Sequence, residues 1–159
     1  MKYAGAFCLF LLCWISLVAQ TPACPFPEDL SSKALKLYEK ALEPKKKTTS
    51  DDCIDYLRGA IDDQDDFTSA YELLSELLFQ KCKRNPENIS ECRAITNKWM
   101  ELCELHNPKA HYILGALAFM QSEPENALAQ FEIFLDKSTE SESRIIKRKR
   151  EEVENLIPD

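Results

Sequence analysis

The sequence predicts an all-α fold of about three successive helical hairpins with a C-terminal capping helix. Three observations predict it. Only three Gly occur in 159 residues and β-branched runs are missing, a composition that favours helices. Apolar residues recur at helical spacing in segment after segment. Most informative is Pro108–Lys137, which reads as two short amphipathic helices joined by a tight bend at Ser122-Glu123-Pro124.

The first segment to set aside is 1–19. Lys2 supplies a short positive region, Ala4–Val18 is an apolar run, and Leu17-Val18-Ala19 ends in a small residue. That pattern is a secretory signal peptide, too short for a comfortable membrane span. Cleavage after Ala19 would leave Gln20 first. Cleavage before Cys24 with lipidation is the competing reading, but Pro22 stands where a lipobox needs a small or aliphatic residue. No second apolar run of about 20 residues follows, so no direct membrane span is expected. About 140 remaining residues suit one domain. Residues 20–29 form an extended lead-in, because Pro25 and Pro27 exclude a helix. The helical domain is expected over 30–157.

Asp29 or Ser31 can cap the first helix, which carries Leu30, Ala34, Leu37, Tyr38 and Ala41 and stops at Pro44. Lys45-Lys46-Lys47 suits a helix C-terminus and reads as solvated. Ser50-Asp51-Asp52 opens a second helix with Cys53, Ile54, Leu57, Ala60 and Ile61 inward. The acidic cluster Asp62–Asp66 lacks the Gly and the distal Glu of a calcium loop, and Asp66 reads as the next cap. The third helix, about Phe67–Cys82, has a wide apolar face and should be central. After a loop at Lys83–Ile89, a Ser90 cap starts a fourth helix, to about Leu105, with Ile95, Trp99, Leu102 and Cys103 inward. Asn107-Pro108 breaks it.

In the fifth helix Leu114, Leu117, Ala118 and Met120/Gln121 share a face. In the sixth, Ala127, Leu128, Phe131, Phe134 and Leu135 form the stripe, with Pro124 in its first turn. Gly115 within a helix costs about 1 kcal/mol relative to Ala. A close helix contact would explain it, with Ala127 as the small partner; a tolerated glycine in an ordinary hairpin is the alternative. After polar Ser138–Glu142, a last helix carries Ile145, Ile146, Val153, Leu156 and Ile157.

Charge and cysteine usage narrow the chemistry. Removing 1–19, whose only charged residue is Lys2, takes the formal charge from −7 to −8. An acidic chain repels nucleic acid and anionic lipid, so neither is an expected partner. Five cysteines outlast the signal: Cys24, Cys53, Cys82, Cys92 and Cys103. The odd number leaves one thiol free or intermolecular. Cys82 and Cys92 close the third and open the fourth helix, so antiparallel packing could bring them to disulfide distance. Two unpaired buried thiols are the alternative. Cys53 reads as core, and Cys24 and Cys103 should lie at the other end.

No Cys/His grouping has zinc spacing, and no metal or cofactor is expected. His106 and His111 flank Asn107-Pro108 with no nucleophile beside them, and read as surface residues. Asn88-Ile89-Ser90 is a glycosylation sequon, but Ser90 as a helix cap is the favoured reading. Lys147–Arg150 is followed at i+4 by Glu151, Glu152 and Glu154, the pattern of a solvated helix face.

An internal period underlies the hairpins. Ala41, Ser75 and Gly115, the small residues of the odd helices, are spaced 34 and 40 apart. Leu114-Gly115-Ala127-Phe131 resembles the tetratricopeptide repeat, which places Ala twelve residues after Leu-Gly and Phe four later. Ala41-Cys53-Leu57-Ala60 and Tyr71-Leu74-Ser75 are similar more loosely, and the resemblance spans about Ser31–Lys137. His111, Ala118 and Phe134 depart from the pattern, and about six residues are inserted near Lys83–Ser90.

The resemblance implies a right-handed α-solenoid whose concave groove binds a protein or peptide segment. Lys36, Lys40, Glu72, Glu76, Tyr112 and Leu117 would be its contacts. It also implies an exported scaffold, not an enzyme, in the periplasm or at the outer membrane (secreted, if the source is eukaryotic). The segment looks like those preceding outer-membrane-protein-A-like domains, so association with outer-membrane or peptidoglycan-bound proteins follows. As an alternative, the chain is the structural arm of a larger peptidoglycan-associated or secretion-system protein. A cysteine-dependent redox protein is the third reading, though no basic or C-x-x-C environment supports a low-pKa thiol.

Overall fold

A computed structural model of the chain describes residues 29–44, 48–103, 108–139 and 144–156. The expected signal segment, most of the lead-in, His106 and Ile157 lie outside them. The described residues are all-α, with no strand. The helices are α1 (Ser32–Leu42), α2 (Ser50–Asp63), α3 (Thr68–Cys82), α4 (Ile89–Leu102), α5 (Pro108–Met120), α6 (Pro124–Lys137) and α7 (Arg144–Glu154). A 3-10 turn, Pro86–Asn88, precedes α4.

Packing follows chain order. α1 lies on α2, α3 on α4 and α5 on α6, three hairpins joined through α2–α3 and α4–α5; α3 also meets α5, and α7 packs on α6. Ion pairs tie one hairpin to the next. The Arg58 guanidinium donates to both oxygens of Glu91, and Arg93 pairs with Glu123 at 3.1 Å. The Lys109 ammonium donates to Glu72 and Glu76. These partners stand 33, 30, 37 and 33 residues apart, so each bond spans about one hairpin.

Local signals set the ends. The Ser31 hydroxyl caps α1, accepting from the backbone of Lys33 and Ala34, which decides between Asp29 and Ser31. α2 begins one residue earlier in cap terms than expected: Thr49 and Asp52 form a reciprocal capping box. Two expected caps fail. Asp66 accepts from the Gln64 side chain instead of capping α3, whose N-cap is Phe67. Ser90 lies inside α4, whose N-cap is Asn88. The 3-10 turn starts the chain's coiling early and carries Ser90 past the cap position.

α5 ends in a Schellman motif. Ser122 sits at φ 58°, its N–H bonds the Phe119 carbonyl, and the Glu123 N–H bonds the Ala118 carbonyl. The left-handed residue turns the chain sharply, and Pro124 at the first position of α6 restarts it.

One continuous core runs through the hairpins, with Trp99, Phe67, Leu57, Leu74, Leu78, Leu117 and Phe134 fully enclosed. Phe134, where a small residue would suit the expected pattern, is buried, and its ring packs 5.5 Å from that of Tyr112. Five stripe positions are corrected. Met120, Gln121, Leu128, Ile145 and Leu156 are exposed: Met120 and Gln121 stand at the end of α5, Leu128 and Ile145 lie off the covered faces of α6 and α7, and Leu156 lies past the end of α7. His111 is also corrected: it is buried rather than on the surface, its Nδ1 2.9 Å from Gln130 Oε1 on α6.

Candidate functional site

Three odd-numbered helices converge on one concave pocket of about 280 Å³. Tyr38 comes from α1, Ser69, Glu72, Leu73 and Glu76 from α3, and Lys109 from α5. The α3 residues recur at three- and four-residue spacing, so they form one face of that helix. Glu72 and Glu76 lie one turn apart and both accept from Lys109 Nζ, at 3.0 and 2.8 Å. Burial pulls the Lys109 ammonium down, and its bonds to Glu76 and Glu72 more than offset this, leaving it raised. Burial beside the Glu72 carboxylate pushes the Tyr38 hydroxyl up, against a hydrogen bond to Ser69.

Tyr112, one turn beyond Lys109, continues this face. Its ring meets Phe79 edge-on at 5.9 Å and is covered from above by α7. Lys149 Nζ stands 3.6 Å from the Tyr112 ring centroid, a cation–π contact. Burial and the Glu152 carboxylate push the Tyr112 hydroxyl up to about 12. Burial and the nearby Lys83 charge pull Lys149 down to about 8, against Glu152.

The structure therefore divides the six predicted groove residues. Glu72 and Glu76 line the pocket. Lys36 is exposed on α1 but is not part of the pocket lining. Lys40 is turned the other way, its ammonium over the Tyr56 ring of α2 at 5.4 Å. Tyr112 is on the right face but beneath α7. Leu117 is core, because the broad apolar circumference of α5 is buried on most sides. Tyr38, Ser69, Leu73 and Lys109 were missed. Lys109 sits at the same helix-start position as Ser69, and that equivalence is the signal that could have found it.

The repeat-packing residues gather in the core. Ala41, Cys53, Leu57, Ala60, Tyr71, Leu74, Ser75, Ala127 and Phe131 are buried, while Leu114 is half-buried. Gly115 meets Phe131 rather than Ala127: a β-carbon there would lie 2.6 Å from Phe131 Cδ1. In the second hairpin Cys92 takes the analogous place, its thiol 3.7 Å from the Ser75 carbonyl.

Cys82 and Cys92 meet across the α3–α4 hairpin as spacing suggested, with their side chains in hydrogen-bond contact, but both are free thiols. Burial pushes both up, Cys92 to about 12. A neutral thiol is a poor nucleophile, so this pair has the opposite of a reactive environment. Cys53 is a free buried thiol in the core. Cys103 is disulfide-bonded. Its partner lies outside the described residues, since the other three described cysteines are free.

The basic run of α7 is corrected in part. Arg150 pairs with Glu154 at 2.8 Å as the spacing implied. Yet Lys149 lies over Tyr112, and Arg150 donates to the Leu135 carbonyl at the end of α6. Among the described residues no helix is long and apolar enough to cross a membrane, and no acidic, His or Cys group of three could hold a metal ion. The fold and site define an all-α chain of consecutive hairpins with a mixed-charge concave pocket. No family model matches the chain, and no curated protein or solved structure is significantly similar to it.

Proposed function

We propose that this chain is an exported, non-enzymatic scaffold of tetratricopeptide-like repeats, a right-handed solenoid that binds a segment of a partner protein in its concave groove. The observation that carries the reading is the pocket itself. Tyr38, Glu72, Glu76 and Lys109 come from three successive odd helices yet line one cavity, as inner helices of stacked hairpins do. Two features support it. The inter-hairpin ion pairs repeat at 30 to 37 residues, and Gly115 is a packing position under Phe131, as the repeat's Leu-Gly…Ala…Phe pattern implies. A pocket whose carboxylates, lysine and hydroxyls converge beside one leucine suits a polar or charged peptide side chain.

Site-specific photo-cross-linking tests this. A benzophenone amino acid at Leu73, in the pocket, is expected to trap one partner protein in the exporting cell. The same group at Ala129, exposed on α6, is expected to trap none. Equal adducts from both positions, or none from Leu73, would count against the reading.

A further inference from the structure

α7 is held differently from the other helices. It has eleven residues, of which only Ile146 and Val153 are buried, while Ile145 stays exposed. A helix of this length is marginal alone, so its folding depends on docking. Its docking adds polar contacts to those two apolar residues. Lys149 caps the Tyr112 ring, and Arg150 binds the Leu135 carbonyl and lies near the hydroxyls of Ser138 and Thr139. Glu152 hydrogen-bonds the Tyr112 hydroxyl.

The surface beneath α7 continues the pocket. Lys109 and Tyr112 are one turn apart on α5, and Glu76, which lines the pocket, also acts electrostatically on Lys149. The face thus receives two ammonium groups, Lys109 between the paired carboxylates and Lys149 on the aromatic ring. Carboxylates and an aromatic face at this spacing are complementary to a helix that presents Lys or Arg beside apolar residues. α7, with Arg144-Ile145-Ile146-Lys147-Arg148-Lys149-Arg150, is such a helix.

We propose that the α3–α5 face accepts a basic amphipathic segment of a partner protein, and that α7 is the chain's own occupant of its Tyr112 end, displaced when the partner binds. This rests on the scaffold reading above and adds the partner's chemistry and its competitor. An intramolecular occupant lowers apparent affinity by the fraction of time the face is open.

The test uses the intact mature chain and a fluorescein-labelled peptide of sequence 144–156, read by anisotropy. The wild-type chain is expected to bind weakly. Lys149→Ala with Val153→Ser, both within α7, loosens the occupant and should tighten peptide binding at least tenfold. Adding Glu76→Gln should reverse most of that gain, and binding should weaken as salt rises. Hydrogen exchange of α1–α6 confirms that the variant remains folded. If it does not, Arg150→Ala replaces it, since that change removes the bonds to the α6 end and one exposed ion pair within α7, and leaves the buried Ile146 and Val153 in place. No tightening in a folded, loosened variant overturns the proposal, and so does tightening that Glu76→Gln leaves untouched. Persistent cross-linking at Leu73 with no peptide binding rejects the basic partner alone; loss of both rejects the scaffold reading as well.

Discussion

The ring of Phe131 fills the space that a β-carbon on residue 115 would need, its Cδ1 and Cε1 lying 2.6 and 2.7 Å from that point. Gly115 therefore lets the Phe131 ring of α6 pack directly against the backbone of α5. On helix propensity alone Gly115→Ala should stabilise by about 1 kcal/mol. The overlap forces Phe131 out of its well, and overpacking of a filled core costs roughly 1–3 kcal/mol. The expected net result in urea denaturation is a loss of stability. Phe131→Leu in the same chain should return part of it, and Gly115→Ala that raises the midpoint would refute the close contact.

The turn after α5 offers a gain instead. Ser122 is the only non-glycine residue at positive φ among the described residues. Glycine adopts that conformation without the side-chain penalty, so Ser122→Gly should stabilise by about 0.5–1 kcal/mol. Ser122→Val, with a branched β-carbon in the same left-handed position, should lower the denaturation midpoint.

The cysteines make a chemical prediction. Cys53, Cys82 and Cys92 are buried thiols, with Cys82 and Cys92 pushed up by burial. Native protein should resist alkylation at all three, and unfolded protein should take up three labels without reductant. Once 1–19 is removed, Cys24 is the sole cysteine left to pair with Cys103. Non-reducing digestion should then yield one peptide linking those two. A linked Cys82–Cys92 peptide from freshly isolated protein would show that the hairpin thiols oxidise after all.

The docking of α7 should depend on pH in two directions. Lys149 is held at about 8 against an ordinary 10.5, lowered by burial, Lys83 and Arg148 and opposed by Glu152 and Glu76. Between those values the unfolded chain binds more protons, so stability rises with pH. Tyr112 is pushed up to about 12 from 10, by burial and Glu152 against Arg148. There the folded chain binds more protons, so stability falls as pH climbs beyond 10. The melting temperature should therefore rise from about pH 7.5 to a maximum near pH 10 and then drop. Lys149→Met should flatten the rise and keep the fall; an unchanged rise would locate its origin elsewhere.

Leu117 and Phe119, two residues apart on α5, separate core from surface. Leu117 is fully buried and Phe119 is 60 % exposed. Leu117→Ala should cost about 2–5 kcal/mol. Phe119→Ala should leave thermal stability within about 0.5 kcal/mol, as surface changes do.

What the sequence determined by itself is the helical plan. Seven helices, their order and most of their inward residues follow from apolar periodicity and from Pro and capping residues, which act within a few positions of the chain. The helical glycine at 115 marked a close-packing site, because a β-carbon there would meet Phe131. The approach of Cys82 to Cys92 was legible because a short turn folds α4 back on α3. What only the tertiary structure decided is which polar residues share a face. Lys40 leans onto Tyr56 of the neighbouring helix while Lys109 reaches Glu72 and Glu76 of another, and periodicity has no term for either. His111 and Leu117 are enclosed because α5 has neighbours on several sides, which no pattern within α5 records. The placement of Lys149 on Tyr112 is divided between the two. Lys147, Arg148 and Arg150 carry i+4 glutamates, but Lys149 is followed at i+4 by Val153 and shares the buried face with it and Ile146; only the packing of α7 against the rest of the chain decides that this face meets the Tyr112 ring.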